Sequence, residues 1–172
     1  MILAVEEIGC AAGAITFAHQ DDCLYALGFS ECWEALEKTL ARRWPGVELR
    51  TGAPSVWIRE RLGAYFRGEI DAIDSLAVET GGSPFQQSVW AALRTIPHGR
   101  TISYRDLALT IGAPTAVRAV GLANGANPIS IVIPCHRVVG SDGRLTGYAG
   151  GLRRKRWLLE HEGAIERSLG LD

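Results

Sequence analysis

The residues best suited to chemistry in this chain are Pro134-Cys135-His136-Arg137-Val138. A cysteine is nucleophilic as its thiolate, and a neighbouring imidazole is the usual means of making one near neutral pH. The apolar run before them, Ile-Ser-Ile-Val-Ile at 129–133, reads as a buried strand that Pro134 stops. Adjacent side chains on a strand face opposite ways. Either Pro134 therefore bends the chain, or a water bridges Cys135 to His136. Of the four cysteines, Cys10, Cys23, Cys32 and Cys135, only the last precedes a histidine. Their irregular spacing argues against a disulfide framework and for a reducing compartment.

The elements that must position this segment can be read in outline. Residues 14–18 and 23–29 form two strands joined by the polar turn 19–22. Ser30 is placed to cap a helix to Trp44 that turns Trp33, Leu36 and Leu40 to one side. Ser55 starts a second helix carrying Val56, Ile58, Leu62, Tyr65 and Phe66, which ends at Gly68. Residues 1–80 thus form a small α/β unit, and the stretch Glu79-Thr-Gly-Gly-Ser-Pro84 reads as a linker to a mainly helical unit, 81–172. In that second unit a helix over 85–95 turns Val89, Trp90 and Leu93 inward. Ser103 caps another to Thr110, Gly112-Ala-Pro114 makes a turn, and a further helix runs from Thr115 through Ala123. This is helix-turn-helix spacing, although any αα-hairpin shares it. The last of these helices is nearly smooth, with Ala116, Ala119, Gly121 and Ala123 around a single long polar side chain, Arg118. Reading a major groove takes several long polar groups. A smooth helix with one arginine suits a narrow minor groove, and its small residues would equally serve tight helix packing.

A net charge of −1 hides a split. Residues 81–156 carry ten Arg or Lys against two Asp or Glu, whereas residues 1–80 carry seven against thirteen. One basic half with acidic flanks is the footprint of a nucleic-acid partner, because phosphate attraction is local. The start of the chain has no basic segment followed by an apolar core, and no apolar run is long enough to span a bilayer. A cytoplasmic, monomeric protein without membrane association is the default expectation.

Seven stretches, in order and with matching spacing, carry a specific resemblance: Phe85-Gln-Gln-Ser-Val-Trp90, Ile102-Ser-Tyr104, Val117-Arg-Ala-Val-Gly121, Asn127-Pro128, Ile133-Pro-Cys-His-Arg-Val-Val139, Gly147-Tyr148 and Leu158-Leu-Glu-His-Glu-Gly163. They are similar to the O6-alkylguanine-DNA alkyltransferases, repair proteins that take an alkyl group onto their own cysteine. The resemblance is strong over residues 85–162 and thin before Ser83. It implies a mixed α/β (α+β) fold, with a small RNase H-like sheet-plus-helix unit followed by a helix-turn-helix, winged-helix-like unit. It also implies irreversible, single-turnover transfer from O6-alkylguanine, and possible activity on O4-alkylthymine, in double-stranded DNA, with base flipping and no cofactor.

The same resemblance assigns roles. Cys135 is the acceptor, His136 the base acting through a water, and Glu162 the carboxylate orienting it. Tyr104 donates to a guanine ring nitrogen, and Arg118 fills the gap left by the rotated nucleotide, with Ala116 and Gly121 on the same DNA-facing helix. Tyr148 walls the alkyl pocket, the Ala149 amide faces O6, and the Val138 carbonyl accepts from the guanine amino group. Many relatives have serine where Ala149 stands, which implies altered substrate tolerance. Asn127 locks a turn through its side chain. Arg137 is open to two readings, an internal ion pair or a phosphate contact. Arg153 to Arg156 open a helix that either approaches the DNA backbone or is simply solvated. Some relatives bind zinc through two cysteines and two histidines. Cys10, Cys23, Cys32 and His19 match neither that spacing nor that order, so no metal is expected. The chain is short and lacks the cysteines of a regulatory relative's amino-terminal metal-cysteine domain, so a repair role without that transcriptional switch is the expectation. A cysteine-free damage-binding module and a Cys-His-Glu hydrolase are the competing readings. The presence of Cys135 counts against the first, and Arg118 on a smooth helix is unexplained by the second.

Overall fold

The computed structural model describes residues 1–167, so the last five of the expected 81–172 unit lie outside the described residues. Strands β1 (Ile2–Cys10), β2 (Gly13–Gln20) and β3 (Cys23–Phe29) form an antiparallel meander. After helix α1 (Trp33–Arg43), strand β4 (Glu48–Thr51) adds parallel to β1. Helix α2 (Val56–Phe66) then leads to β5 (Ala77–Val78), which pairs parallel with β3. The sheet order is β4-β1-β2-β3-β5. Ser55 caps α2 as expected, its side chain accepting from the Ile58 amide. Ser30 does not cap α1. Its hydroxyl lies 2.8 Å from Thr16 Oγ1, and a 3-10 turn, Ser30–Cys32, precedes the helix.

The second half holds α3 (Pro84–Leu93), β6 (Ile102–Ser103), α4 (Tyr104–Thr110), α5 (Val117–Gly125), β7 (Val138–Val139) and α6 (Leu152–His161). Ser83 and Ser103 each complete a capping box, with Gln86 and Asp106 respectively. Helix α5 starts two residues later than expected, which puts Thr115 in the turn and Ala116 at the N-cap. A single buried cluster runs from Ile15, Phe17 and Leu27 of the sheet through Tyr65 to Val89, Leu107, Val120 and Leu158. The two halves therefore share one core.

The expected strand over 129–133 is absent. Asn127 organises the segment instead: its Oδ1 accepts from the Ile129 amide (3.0 Å) and its Nδ2 donates to the Ile133 carbonyl (2.8 Å). The chain is hydrogen-bonded to β3 through the pairs Leu27 N to Pro128 O and Ser130 N to Leu27 O. It then folds back through Ile131 at φ +73° and closes the bond from Ile133 N to Ile129 O. Ile129, Ile131, Val132 and Ile133 are all buried. A short apolar run bounded by proline signals burial, and a side chain that satisfies backbone groups locally removes the need for a strand partner. Cys135–Arg137 is a 3-10 turn, so the opposed-face constraint on Cys135 and His136 does not apply.

Asn127→Ala leaves the buried Ile129 amide without a partner and the Ile133 carbonyl with only the Cys135 amide (2.8 Å). It is expected to lower stability by about 1–3 kcal/mol, measured by urea unfolding.

Candidate active site

Glu162, just past the end of α6, is the centre of the site. Its side chain is fully buried and takes four hydrogen bonds. His136 Nε2 (2.8 Å), the Tyr65 hydroxyl (2.7 Å) and Arg137 Nη2 (3.0 Å) converge on Oε1, while Arg137 Nε (2.8 Å) meets Oε2. Burial alone would raise the carboxyl pKa, but the charges and hydrogen bonds of His136 and Arg137 outweigh it and hold Glu162 well below the usual carboxylate range. An ionised Glu162 only accepts, so His136 Nε2 must carry the proton. The basic nitrogen is then Nδ1, which is buried with no protein partner among the described residues. Arg137, 3% exposed, also donates from Nη1 to the Ile96 carbonyl (2.7 Å) and from Nη2 to His98 Nδ1 (2.8 Å). These contacts answer the question left open for Arg137: it is an internal ion pair.

Cys135 is 6% exposed. Burial pushes its thiol pKa up, with the Asn127 amide and the Lys155 charge pulling the other way. This favours the thiol, and a thiol can act as a nucleophile only where a base takes its proton. Tyr148 lies close enough that burial first, and a charge on Cys135 second, push its phenol well above the ordinary value.

The loop carrying Tyr148 and Ala149 is held at several points. Tyr104 donates its hydroxyl to the Thr146 carbonyl (3.3 Å), and Lys155 Nζ donates to Thr146 O (2.7 Å) and Gly147 O (3.4 Å). The Cys32 thiol donates to the Ala149 carbonyl (3.3 Å), and Phe29 meets Tyr148 edge-on at 6.4 Å. Gly150 lies so close to Phe29 that a Cβ would fall 2.5 Å from its ring. Val138 is fully buried in β7, which pairs parallel with β6 just before Tyr104.

Helix α5 presents a different surface. Arg118 is exposed and makes no ion pair or hydrogen bond among the described residues. Gly121 is half-buried with its Cα towards Tyr104, so that a Cβ would sit 3.8 Å from the ring. Val120 and Ala123 face the core. The exposed side is not all small: Leu122, four residues on from Arg118, is 71% exposed.

A family model described as "6-O-methylguanine DNA methyltransferase, DNA binding domain" matches residues 84–164. The methylated-DNA--protein-cysteine methyltransferase of Salmonella typhimurium is 59% identical over 123 residues, which is 72% of this chain and 72% of the relative. Among solved structures, OGT of Mycobacterium tuberculosis in complex with DNA is similar at 43% identity and TM-score 0.77, over 94% of this chain and 93% of that one. The O6-methylguanine methyltransferase of the same organism is similar at 40% identity and TM-score 0.78, over 96% of each. The chain belongs to the O6-methylguanine-DNA methyltransferase family.

Within that family frame, three side chains near the site had not been singled out from sequence. Tyr65, from the other half of the chain, is fully buried, and a buried phenol demands a partner. Lys155 belongs to the run 153–156, for which a DNA-backbone contact and a solvated face were the two readings, but it is fully buried. Burial lowers its pKa to about 8, against the raising effect of Cys135. Its signal was the helical period, which places it on the same side as Leu158 and Leu159. His98 lies just beyond α3, in the turn that precedes β6. Arg154 is also not free: it bonds Glu31 and the Ala12 carbonyl and lies 4.2 Å over the Phe29 ring, leaving Arg153 and Arg156 exposed. No three His, Cys, Asp or Glu side chains gather as a metal site among the described residues.

Glu162 has a depressed folded-state pKa, so its stabilisation is fully present above the unfolded value and is lost as pH falls from there towards the folded one. Glu162→Gln is expected to be less stable than the parent by roughly 3 kcal/mol at neutral pH, because Arg137 is left buried without its counter-charge. The gap should close as pH drops below about 4.5, which thermal melts across that window would show.

Proposed function

We propose that the protein repairs DNA by direct reversal, moving the alkyl group of O6-alkylguanine in double-stranded DNA irreversibly onto Cys135. His136 carries this reading. Its Nε2–H is committed to Glu162, so its basic Nδ1 is the nitrogen left to draw the thiol proton, through a bridging water. The Cys135 sulfur then forms a bond to the alkyl carbon as the bond to O6 breaks, and the electron pair stays with the guanine. Tyr104 leaves the Thr146 carbonyl to donate to a ring nitrogen, so that the purine departs without full negative charge.

Other residues take supporting roles. Tyr148 walls the alkyl pocket, the Ala149 amide and Val138 carbonyl hold the base edge, and Asn127 keeps the Cys135 turn in place. Arg118, free on exposed α5 beside Ala116 and Gly121, enters the minor groove and offsets part of the unstacking cost when the base is flipped. The DNA-bound M. tuberculosis relative supports a DNA substrate. Residues 81–172 form the DNA-binding and acceptor unit and 1–80 the supporting unit.

The product is a thioether that nothing in the site can hydrolyse, so each molecule acts once, without a cofactor. We place the protein in the cytoplasm as a monomer. Among the described residues no helix is long and apolar enough to cross a membrane.

Mixed with a duplex holding one O6-methylguanine, the protein should gain the mass of one methyl group, mapped to Cys135 and absent in Cys135→Ser. Binding without a mass gain would mean a lesion-recognition module instead. Arg118→Ala should slow transfer from duplex by roughly 10–100-fold, matching the few kcal/mol of unstacking. Transfer from a free O6-alkylguanine base, which needs no flipping, should change little.

A further inference from the structure

Arg137 reaches beyond Glu162 to a histidine at the surface. His98 Nδ1 lies 2.8 Å from Arg137 Nη2, and His98 Nε2 lies 2.8 Å from Asp74 Oδ2. A guanidinium has N–H donors and no acceptor, so Nδ1 must offer its lone pair to Arg137. The single ring proton is then on Nε2, donated to Asp74. Asp74, His98, Arg137, Glu162 and His136 thus form a chain from solvent to the Cys135 turn with every proton assigned.

We propose that His98 is a positioning residue for alkyl transfer. As the neutral Nε2–H tautomer it holds the Arg137 guanidinium in the plane that binds Glu162, and so fixes the carboxylate that orients His136. The inference rests on the transfer reading above. Protonating Nδ1 would set an imidazolium N–H against the guanidinium, two donors and two positive charges at contact. Arg137 cannot give way, because it is 3% exposed and pinned to Glu162 and the Ile96 carbonyl. His98 can: its side chain is 29% exposed and that of Asp74 61%.

The charged groups around His98 come from three directions. Arg137 belongs to the 135–137 turn and opposes the imidazolium. Asp74, after the 3-10 turn Ile70–Ile73, favours it. Arg94 of α3 is held by the Asp74 and Leu76 carbonyls and fixes the backbone that carries Asp74. A doubly protonated ring would therefore be drawn towards Asp74 and away from Arg137, opening the chain at that link. A second proton on the ring is what would open the link, so a side chain at this position that cannot take one should leave transfer less sensitive to acid.

The test is the single-turnover transfer rate from O6-methylguanine duplex, from about pH 6 to about pH 8.5, for the parent, His98→Gln and His98→Ala. Glutamine can accept from Arg137 and donate to Asp74 but cannot become charged. His98→Ala should be slower throughout, by about 10-fold, with most of the rate recovered in His98→Gln. The fall from about pH 8 to about pH 6 should be at least roughly 3-fold shallower in His98→Gln than in the parent. Superimposable pH profiles for those two proteins, or an alanine variant as fast as the parent, would overturn the inference. Should the parent transfer nothing, the proposed activity itself has failed. Imidazole nitrogen NMR then decides the geometry: an Nε2–H tautomer at about pH 8, with the Arg137 Nε–H signal moving as His98 protonates, supports the link, and an Nδ1–H tautomer refutes it.

Discussion

The arrangement around Cys135 depends on one buried carboxylate. Glu162 is stable as an anion in the core only because two formal or potential cations and a phenol surround it. A buried ion pair adds little net stability when its desolvation cost is counted, but it is costly to break. Its value lies in specification. The four hydrogen bonds leave His136 one tautomer and Arg137 one orientation. They also draw together α2 through Tyr65, the 135–137 turn through His136 and Arg137, and the end of α6 through Glu162 itself. Three segments distant in sequence meet at one oxygen atom. A carboxamide in the same place would keep the shape and lose the charge that makes the arrangement unique.

The pocket loop illustrates a second constraint, the division of labour between the halves. Residues 146–150 have little core of their own, and their order comes from outside: Lys155 and Tyr104 from the helical half, Phe29 and Cys32 from the sheet half. Arg43 of α1 likewise spans the boundary, lying 4.8 Å over Trp90 and donating to the carbonyls of Thr80 and Ala126. The acidic sheet half carries neither Cys135 nor His136, yet it sets the shape of the pocket wall and the far end of α5.

Local rules recovered much of the fold. Ser55 and Ser103 cap helices because a hydroxyl at that position meets an orphan amide whatever surrounds it. The inward faces of α3 followed from period alone. Ser30 misled because Thr16, across the sheet, took its hydroxyl first. The 129–133 run misled because burial without alternation fits several backbones, and only the Asn127 contacts decide among them. Most of the site could be listed from motifs, but its wiring could not. Glu162 and Tyr65 are 97 residues apart, and nothing local to either announces the other. Lys155 looked like one more surface charge in a basic run, and its burial is set by packing against residues outside that run.

Ile131 sits fully buried at φ +73°, a left-handed backbone that a β-branched residue adopts at a cost of about 1–3 kcal/mol. Glycine would relieve that cost but would empty a filled core position, a loss of about 2–5 kcal/mol for an isoleucine truncated even to alanine. Packing wins, so the segment leading to Cys135 holds a conformation its own sequence disfavours. Such a segment has no reason to take shape early. It keeps that shape only while the core is closed around it, so the position of Cys135 is set by the global fold and is lost with it.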